Sequence, residues 1–113
     1  MDTIIIKEGE SVVQTIKLEK DRFLIGSDQE CDIFLDNLLV SASHAELLKT
    51  DNGWMFNDLG SDDGSFLDGV KVEEHYLENA DEIQIGNFVL IYDCGFLAED
   101  ETETKIVFDS ENQ

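Results

Sequence analysis

The sequence predicts an all-β domain of sandwich or barrel class, built from about ten short strands. Three observations predict it. Short β-branched runs alternate with turn residues through the first half, Asn52-Gly53 is a strong hairpin signal, and Ile83 and Ile85 alternate just before an unbroken apolar run.

Taken in order, "TIIIK" (Thr3 to Lys7) reads as a strand closed by "EGE". "SVVQTIKL" follows as a second strand, then the turn residues "EKDR", then "FLIG". The same grammar resumes with "AELLK" and "WMFND" on either side of the Asn-Gly signal. "DEIQIG" predicts a half-buried strand, and "FVLIY" from Phe88 to Tyr92 predicts one buried on both faces. One segment points elsewhere. In "SASHAELLK" Ser43 precedes Glu46 at capping-box spacing and Ala45 to Lys49 are good helix formers, so local propensity predicts a short helix, marginal without tertiary support. Past Asp93 the periodicity ends, and "LAEDETETKIVFDSENQ" is mostly charge around one apolar cluster, Ile106 to Phe108. The expected organisation is one domain over 1–95 and a flexible acidic tail or linker over 96–113.

A chain of 113 residues with 42% apolar content supports one core. Its 27 acidic and 7 basic residues give a formal net charge of -20, which repels nucleic acid and anionic lipid and attracts basic surfaces. An acidic coat also serves solubility alone. Cys31 and Cys94 have neither metal-knuckle spacing nor the density of a disulfide scaffold, which fits a reduced cytoplasmic location. The early apolar run is too short for a signal core or a membrane span, so no membrane contact is expected of this domain.

Four aspartates and three glycines crowd "DLGSDDGSFLDG", Asp58 to Gly69, and invite a calcium reading through Asp58, Asp62, Asp63 and Asp68. An EF-hand register fails there. Starting at Asp58 puts Asp63 where glycine is required, and placing Gly64 at that position puts Leu59 first. An acidic divalent-cation domain therefore stands only as a third reading. Ser41 and His44 lack an evident orienting partner for nucleophilic catalysis. His75 reads as a surface residue near a turn, and Gly64 and Gly69 read as turn residues rather than as a phosphate cradle. No catalytic residue, metal ligand or cofactor is assigned, and an enzyme is not expected.

Four motifs stand in order: Gly26; "VSASHAEL" with Ser41 and His44; "W-x-F-x-DLGSDDGSFLDG" from Trp54 to Gly69; and "L-x-x-x-D-x-I-x-IG" from Leu77 to Gly86. Together they resemble the forkhead-associated (FHA) domain, whose pattern runs Gly-Arg, Ser-x-x-His, Leu-Gly-Ser-x-Asn-Gly-Thr with a following Asn-Gly, and Asp-x-Ile-x-Ile-Gly. The resemblance spans Thr3 to about Tyr92. It implies a twisted antiparallel β-sandwich of about ten to eleven short strands, with loops at one end that recognise phosphothreonine in a protein partner. By the same resemblance "SASHAEL" is a loop entering a strand, which displaces the helix. Ser41 then faces the phosphate, His44 braces the loops from beneath, Asp58 to Gly69 forms the second recognition loop, and Asp68-Gly69 makes the next hairpin turn. Gly26, Gly64, Gly69 and Gly86 belong to the structural motif.

Residue by residue, the phosphate-binding positions depart from that pattern. A near-dianion needs cationic or N–H donors converging on it. The Arg after the first glycine is Ser27, the residue after the loop serine is Ala42, Asp62 takes a small polar position, and Asp63 replaces the donor Asn. A carboxylate can only accept. Losing a charge-assisted bond costs about 1.5–3 kcal/mol, and a like charge at ~4 Å adds up to about 4 kcal/mol at an effective dielectric of ~20. At about 1.4 kcal/mol per tenfold, two such changes remove well over a hundredfold in affinity. Ser41, Ser61 and loop amides remain.

The sequence thus reads as a non-catalytic interaction module of FHA type, independent of phosphothreonine. Its inverted loops either take up a Lys or Arg of a basic partner segment on Asp62 and Asp63 or are an unused rim filled by drift. Retained phosphothreonine binding is the runner-up. Thr102 and Thr104, in "EDETETKIVFD", look like the phosphoacceptor segments that some bacterial FHA proteins bind back onto themselves. A scaffold role, as in the FHA-like domains of secretion-system rings, follows from analogy.

Overall fold

The computed structural model describes residues 2–94. The expected tail over 96–113, with Thr102 and Thr104, lies outside them. Eleven strands form two sheets packed face to face. They are β1 (Thr3–Glu8), β2 (Ser11–Lys17), β3 (Arg22–Gly26), β4 (Ile33–Phe34), β5 (Ala45–Thr50), β6 (Gly53–Asp58), β7 (Phe66–Leu67), β8 (Val70–Lys71), β9 (Glu74–Tyr76), β10 (Glu82–Ile85) and β11 (Phe88–Asp93). One sheet runs β2-β1-β11-β10-β7-β8 and the other β4-β3-β5-β6-β9. All pairings are antiparallel except β3 with β4, a parallel exception to the expected antiparallel sandwich.

Period-two alternation builds the core. Ile4 and Ile6 of β1, Ile83 and Ile85 of β10, and Phe88, Leu90 and Tyr92 of β11 face Phe23 and Ile25 of β3, Leu47 of β5, and Trp54 and Phe56 of β6. Each fully buried aliphatic or aromatic side chain contributes about 1.5–3 kcal/mol of transfer free energy. The "FVLIY" strand is a correction: Val89 and Ile91 alternate outward and are half-buried, because among the described residues no layer covers that face of the sheet.

The helix predicted from local propensity does not form. Ser41 to Ser43 are loop, and Ala45–Thr50 pairs with β3 on one side and β6 on the other. Two ladders and a buried Ala45 and Leu47 outweigh a few tenths of a kcal/mol per residue of helix preference. The hairpin signal at Asn52-Gly53 is displaced by one residue. Thr50 pairs with Gly53, so Asp51-Asn52 form the tip and Gly53 opens β6 at φ 113°. Asp68 (φ 53°) and Gly69 (φ 82°) form the two-residue turn between β7 and β8, with both centres left-handed as a type I′ turn requires. His75 lies partly exposed on β9, near the strand's end, and its Nε2 stands 2.7 Å from the Asp81 carboxylate.

Candidate functional site

At one end of the sandwich the loops 27–32, 35–44 and 59–65 converge with the β10–β11 turn. Gly26 sets their closest approach. The Ser27 N–H donates to the Ser41 carbonyl (3.0 Å), the Leu35 N–H to the Gly26 carbonyl (2.8 Å) and the His44 N–H to the Ile25 carbonyl (2.8 Å). A Cβ on Gly26 would lie 2.0 Å from the Ala42 carbonyl oxygen, so only glycine fits. Gly86, at φ 61°, is the first centre of the turn joining Ile85 to Phe88 and packs against Val40 and Leu39.

His44 is fully buried under these loops. Its Nδ1 accepts the Ser41 N–H (3.0 Å), which leaves the proton on Nε2, 3.1 Å from the Gly64 carbonyl that accepts it. One neutral imidazole thus joins the first loop to the second. Ser41 closes the same junction from above, its Oγ accepting the Asp62 N–H at 3.1 Å.

Asp58, which the sequence reading weighed as a calcium ligand and placed at the start of the second loop, is the hub of that loop. Its Oδ1 accepts the N–H groups of Gly60 (2.9 Å) and Ser61 (2.8 Å), and its Oδ2 accepts the hydroxyls of Ser61 and Ser65, both at 2.7 Å. The His44 Nε2 stands 3.9 Å away. Burial pushes the Asp58 carboxyl up, but the bonds from the Ser61 N–H and the Ser61 and Ser65 hydroxyls hold it below the ordinary value of 3.8. The Ser61 hydroxyl also accepts the Gly64 N–H (3.0 Å), so its polar capacity is turned inward. Among the described residues no group of three or more His, Cys, Asp or Glu is arranged to hold a metal ion.

The rim has a different character. Ala42, Asp62 and Asp63 are exposed and Ser27 is half-exposed, with Asp28 and Glu30 exposed beside them. None of the three loops contains Lys or Arg. Beside the tip opens a cleft of about 370 Å³ lined by Leu39, Asp63, Gly64, Phe66, Gln84 and Gly86. Sequence reasoning missed two features here. Lys71, on β8, brings its Cε to 3.1 Å from the position a Gly64 Cβ would take, so a cationic side chain lies against the second loop. Cys31 is buried against the first loop, its thiol donating to the Ala42 carbonyl at 3.2 Å, and burial pushes that thiol up.

Comparison with known proteins agrees with this arrangement. Residues 6–94 match the family described as the cytoplasmic domain of the inner membrane component of T3SS. The oxoglutarate dehydrogenase inhibitor of Corynebacterium diphtheriae is 32% identical over 89 residues, covering 79% of this chain and 62% of that protein. The glycogen accumulation regulator GarA of Mycobacterium tuberculosis is 33% identical over 92 residues, covering 81% of this chain and 57% of that protein. The chain therefore spans about six tenths of the length of these curated relatives. Among solved structures, the FhaA FHA domain complexed with the intracellular domain of Rv3910 superposes with a TM-score of 0.73 at 25% identity, covering 81% of this chain and 99% of that one. With the two-sheet fold, the His44 junction and these matches in agreement, the chain belongs to the forkhead-associated family, within the group of T3SS inner-membrane-component cytoplasmic domains, as a non-catalytic protein-interaction module.

Proposed function

We propose that the loop end binds a protein partner through a basic, unphosphorylated segment, with Asp62 and Asp63 accepting a Lys or Arg side chain. The observation that carries this reading is the charge of the rim: Asp28, Glu30, Asp62 and Asp63 are exposed on loops that contain no Lys or Arg. A phosphate approaching there meets carboxylates, whereas a guanidinium meets acceptors it can bind with two parallel bonds. The buried junction beneath holds the acceptors in place, so little ordering is needed on binding. Family membership supports a cytoplasmic location and a place in a larger assembly, with residues 1–95 as the interaction domain and 96–113 as its tail. Thr102 and Thr104 remain candidate phosphoacceptors, checked by intact mass after kinase treatment.

The test is binding to matched peptide libraries that carry Arg or Lys, neutral residues or phosphothreonine at a fixed centre. Basic unmodified peptides are expected to be retained, with affinity falling as salt rises and falling at least about tenfold in Asp62→Asn/Asp63→Asn. Retention of the phosphothreonine set in a Ser41-dependent manner would instead favour the ordinary family activity. Equal retention of every set by wild type and variant would refute the basic-segment reading.

A further inference from the structure

The two sheets end in four edge strands, β2 and β8 on one and β4 and β9 on the other. An edge strand presents unpaired backbone N–H and C=O groups that template a further strand. Three of these edges are short: β4 and β8 are two residues long and β9 three. Carboxylates flank each of them, Asp32 and Asp36 at β4, Asp68 and Glu73 at β8, and Glu73, Glu74 and Glu78 at β9. β2 is different. It runs for seven residues, Ser11–Lys17, with neither a carboxylate nor a proline, and among the described residues it pairs on one side only, with β1. Val12 is 58% and Val13 44% exposed.

Register and hydrogen bonding fix which backbone groups of β2 face the open side. Leu18 stands opposite Asp2 in the register that pairs Lys17 with Thr3, and its N–H donates to the Asp2 carbonyl at 2.9 Å. Hydrogen-bonded and non-hydrogen-bonded pairs alternate along an antiparallel ladder. Ile16 and Gln14 therefore bond to Ile4 and Ile6 of β1, while the Thr15 N–H and C=O and the Lys17 N–H point away from it. The Lys17 carbonyl accepts the Glu19 N–H (2.9 Å). A register shift at Val13, where Ile6 pairs with Gln14 and Lys7 with Val12, ends the regular ladder. The Gln14 Nε2 donates to the Phe34 carbonyl of β4 in the opposite sheet at 3.0 Å, so the edge is held in place from the core side.

We propose that β2 pairs antiparallel with β2 of a second copy of this chain, about a two-fold axis at Thr15, joining the two six-stranded sheets into one continuous sheet. The strand is self-complementary in that register. Thr15 meets Thr15 of the second copy, and the pair exchanges both outward N–H···O bonds and brings two hydroxyls together. Ile16 lies opposite Gln14 and Lys17 opposite Val13, so no like charges face each other along the strand. Beyond its ends Glu19 falls opposite Ser11, and Glu10 opposite Lys20, which also binds Asp32. Such an isologous contact uses up the open edge and closes at the dimer. The opposing force is the net charge of -20 on each copy, a repulsion that salt screens. The paired segments are short, which places the association in the weak, concentration-dependent class. This inference does not depend on what the loop end binds.

The experiment follows the full chain by sedimentation equilibrium from micromolar to millimolar concentration, with amide hydrogen exchange at matched concentrations. A monomer–dimer equilibrium is expected that tightens as salt rises, the opposite sign to capture of a basic segment at the loop end. As dimer forms, protection should rise at the Thr15 and Lys17 amides and stay constant at Gln14 and Ile16, which β1 already holds. Thr15→Pro removes the outward N–H at a position where an edge strand tolerates proline, and should weaken dimerisation at least about tenfold. Thr15→Glu and Thr15→Lys change only an exposed side chain. Each alone sets like charges against each other at the axis and should weaken dimerisation by a similar factor, and an equimolar mixture of the two should restore it. A chain that stays monomeric throughout, a dimer that Thr15→Glu leaves intact, a mixture that fails to recover association, or growth beyond the dimer would each overturn the proposal.

Discussion

The loop end contains two regions a few ångströms apart that differ in what their residues do. Beneath the surface, Gly26, His44 and Asp58 tie three loops together through backbone groups, a neutral imidazole and a carboxylate whose two oxygens accept four bonds. On the rim, Ser27 and Ala42 bring no cationic side chain, and Asp62 and Asp63 add exposed carboxylates. The interior preserves loop shape without depending on what the rim carries. A change of ligand therefore needs no change of frame, and the two regions should respond to substitution in opposite ways.

The largest expected effect is in the interior. Gly26→Val would force its side chain into the Ala42 carbonyl and cost about 3 kcal/mol or more, read as a shifted denaturant midpoint. Asp58→Ala removes an acceptor from four donors and should cost about 2–4 kcal/mol, with raised amide exchange at Gly60, Ser61 and Gly64. Equal loss in an Asp62→Ala control would erase the distinction between interior and rim.

Acid sharpens the comparison. The Asp58 and Glu46 carboxyls are both buried, which pushes them up, yet hydrogen bonds hold each below its ordinary value of 3.8 or 4.5. For Glu46 the donors are Asn57 (3.0 Å) and Arg22. A depressed folded value means that the stabilisation is fully present above the unfolded value and is lost as pH falls through the folded one. The stability gap between wild type and Asp58→Ala should thus be constant above about pH 5 and shrink below 3.8. A gap that widens on acidification would contradict the bonding assigned to Asp58. The smallest effect belongs to the rim, where Asp62→Asn and Asp63→Asn should each change stability by less than about 0.5 kcal/mol.

Legibility in the sequence followed the range of the interaction. Ile83 and Ile85 and the Asp68-Gly69 turn were readable because alternation and left-handed turn chemistry act over a few residues. The segment Ala45–Thr50 misled local reasoning because its stabilising partners, β3 and β6, are named only by the fold. Asp58 was visible, but beyond a calcium register that failed it was given no role of its own, since a cluster of aspartates does not disclose which one turns inward to bind serine hydroxyls. Lys71 went unnoticed because only the β7–β8 turn folds it back against Gly64.

The central claim is that an FHA frame is kept intact under a rim whose charge is inverted. It is tested most directly by rebuilding the rim alone as Ser27→Arg/Asp62→Thr/Asp63→Asn and titrating a phosphothreonine peptide library against wild type and variant. The account predicts no phospho-dependent binding by wild type, and its appearance in a variant of unchanged fold, abolished again by Ser41→Ala. Phospho-dependent binding by wild type that the rebuilt rim fails to strengthen would contradict it.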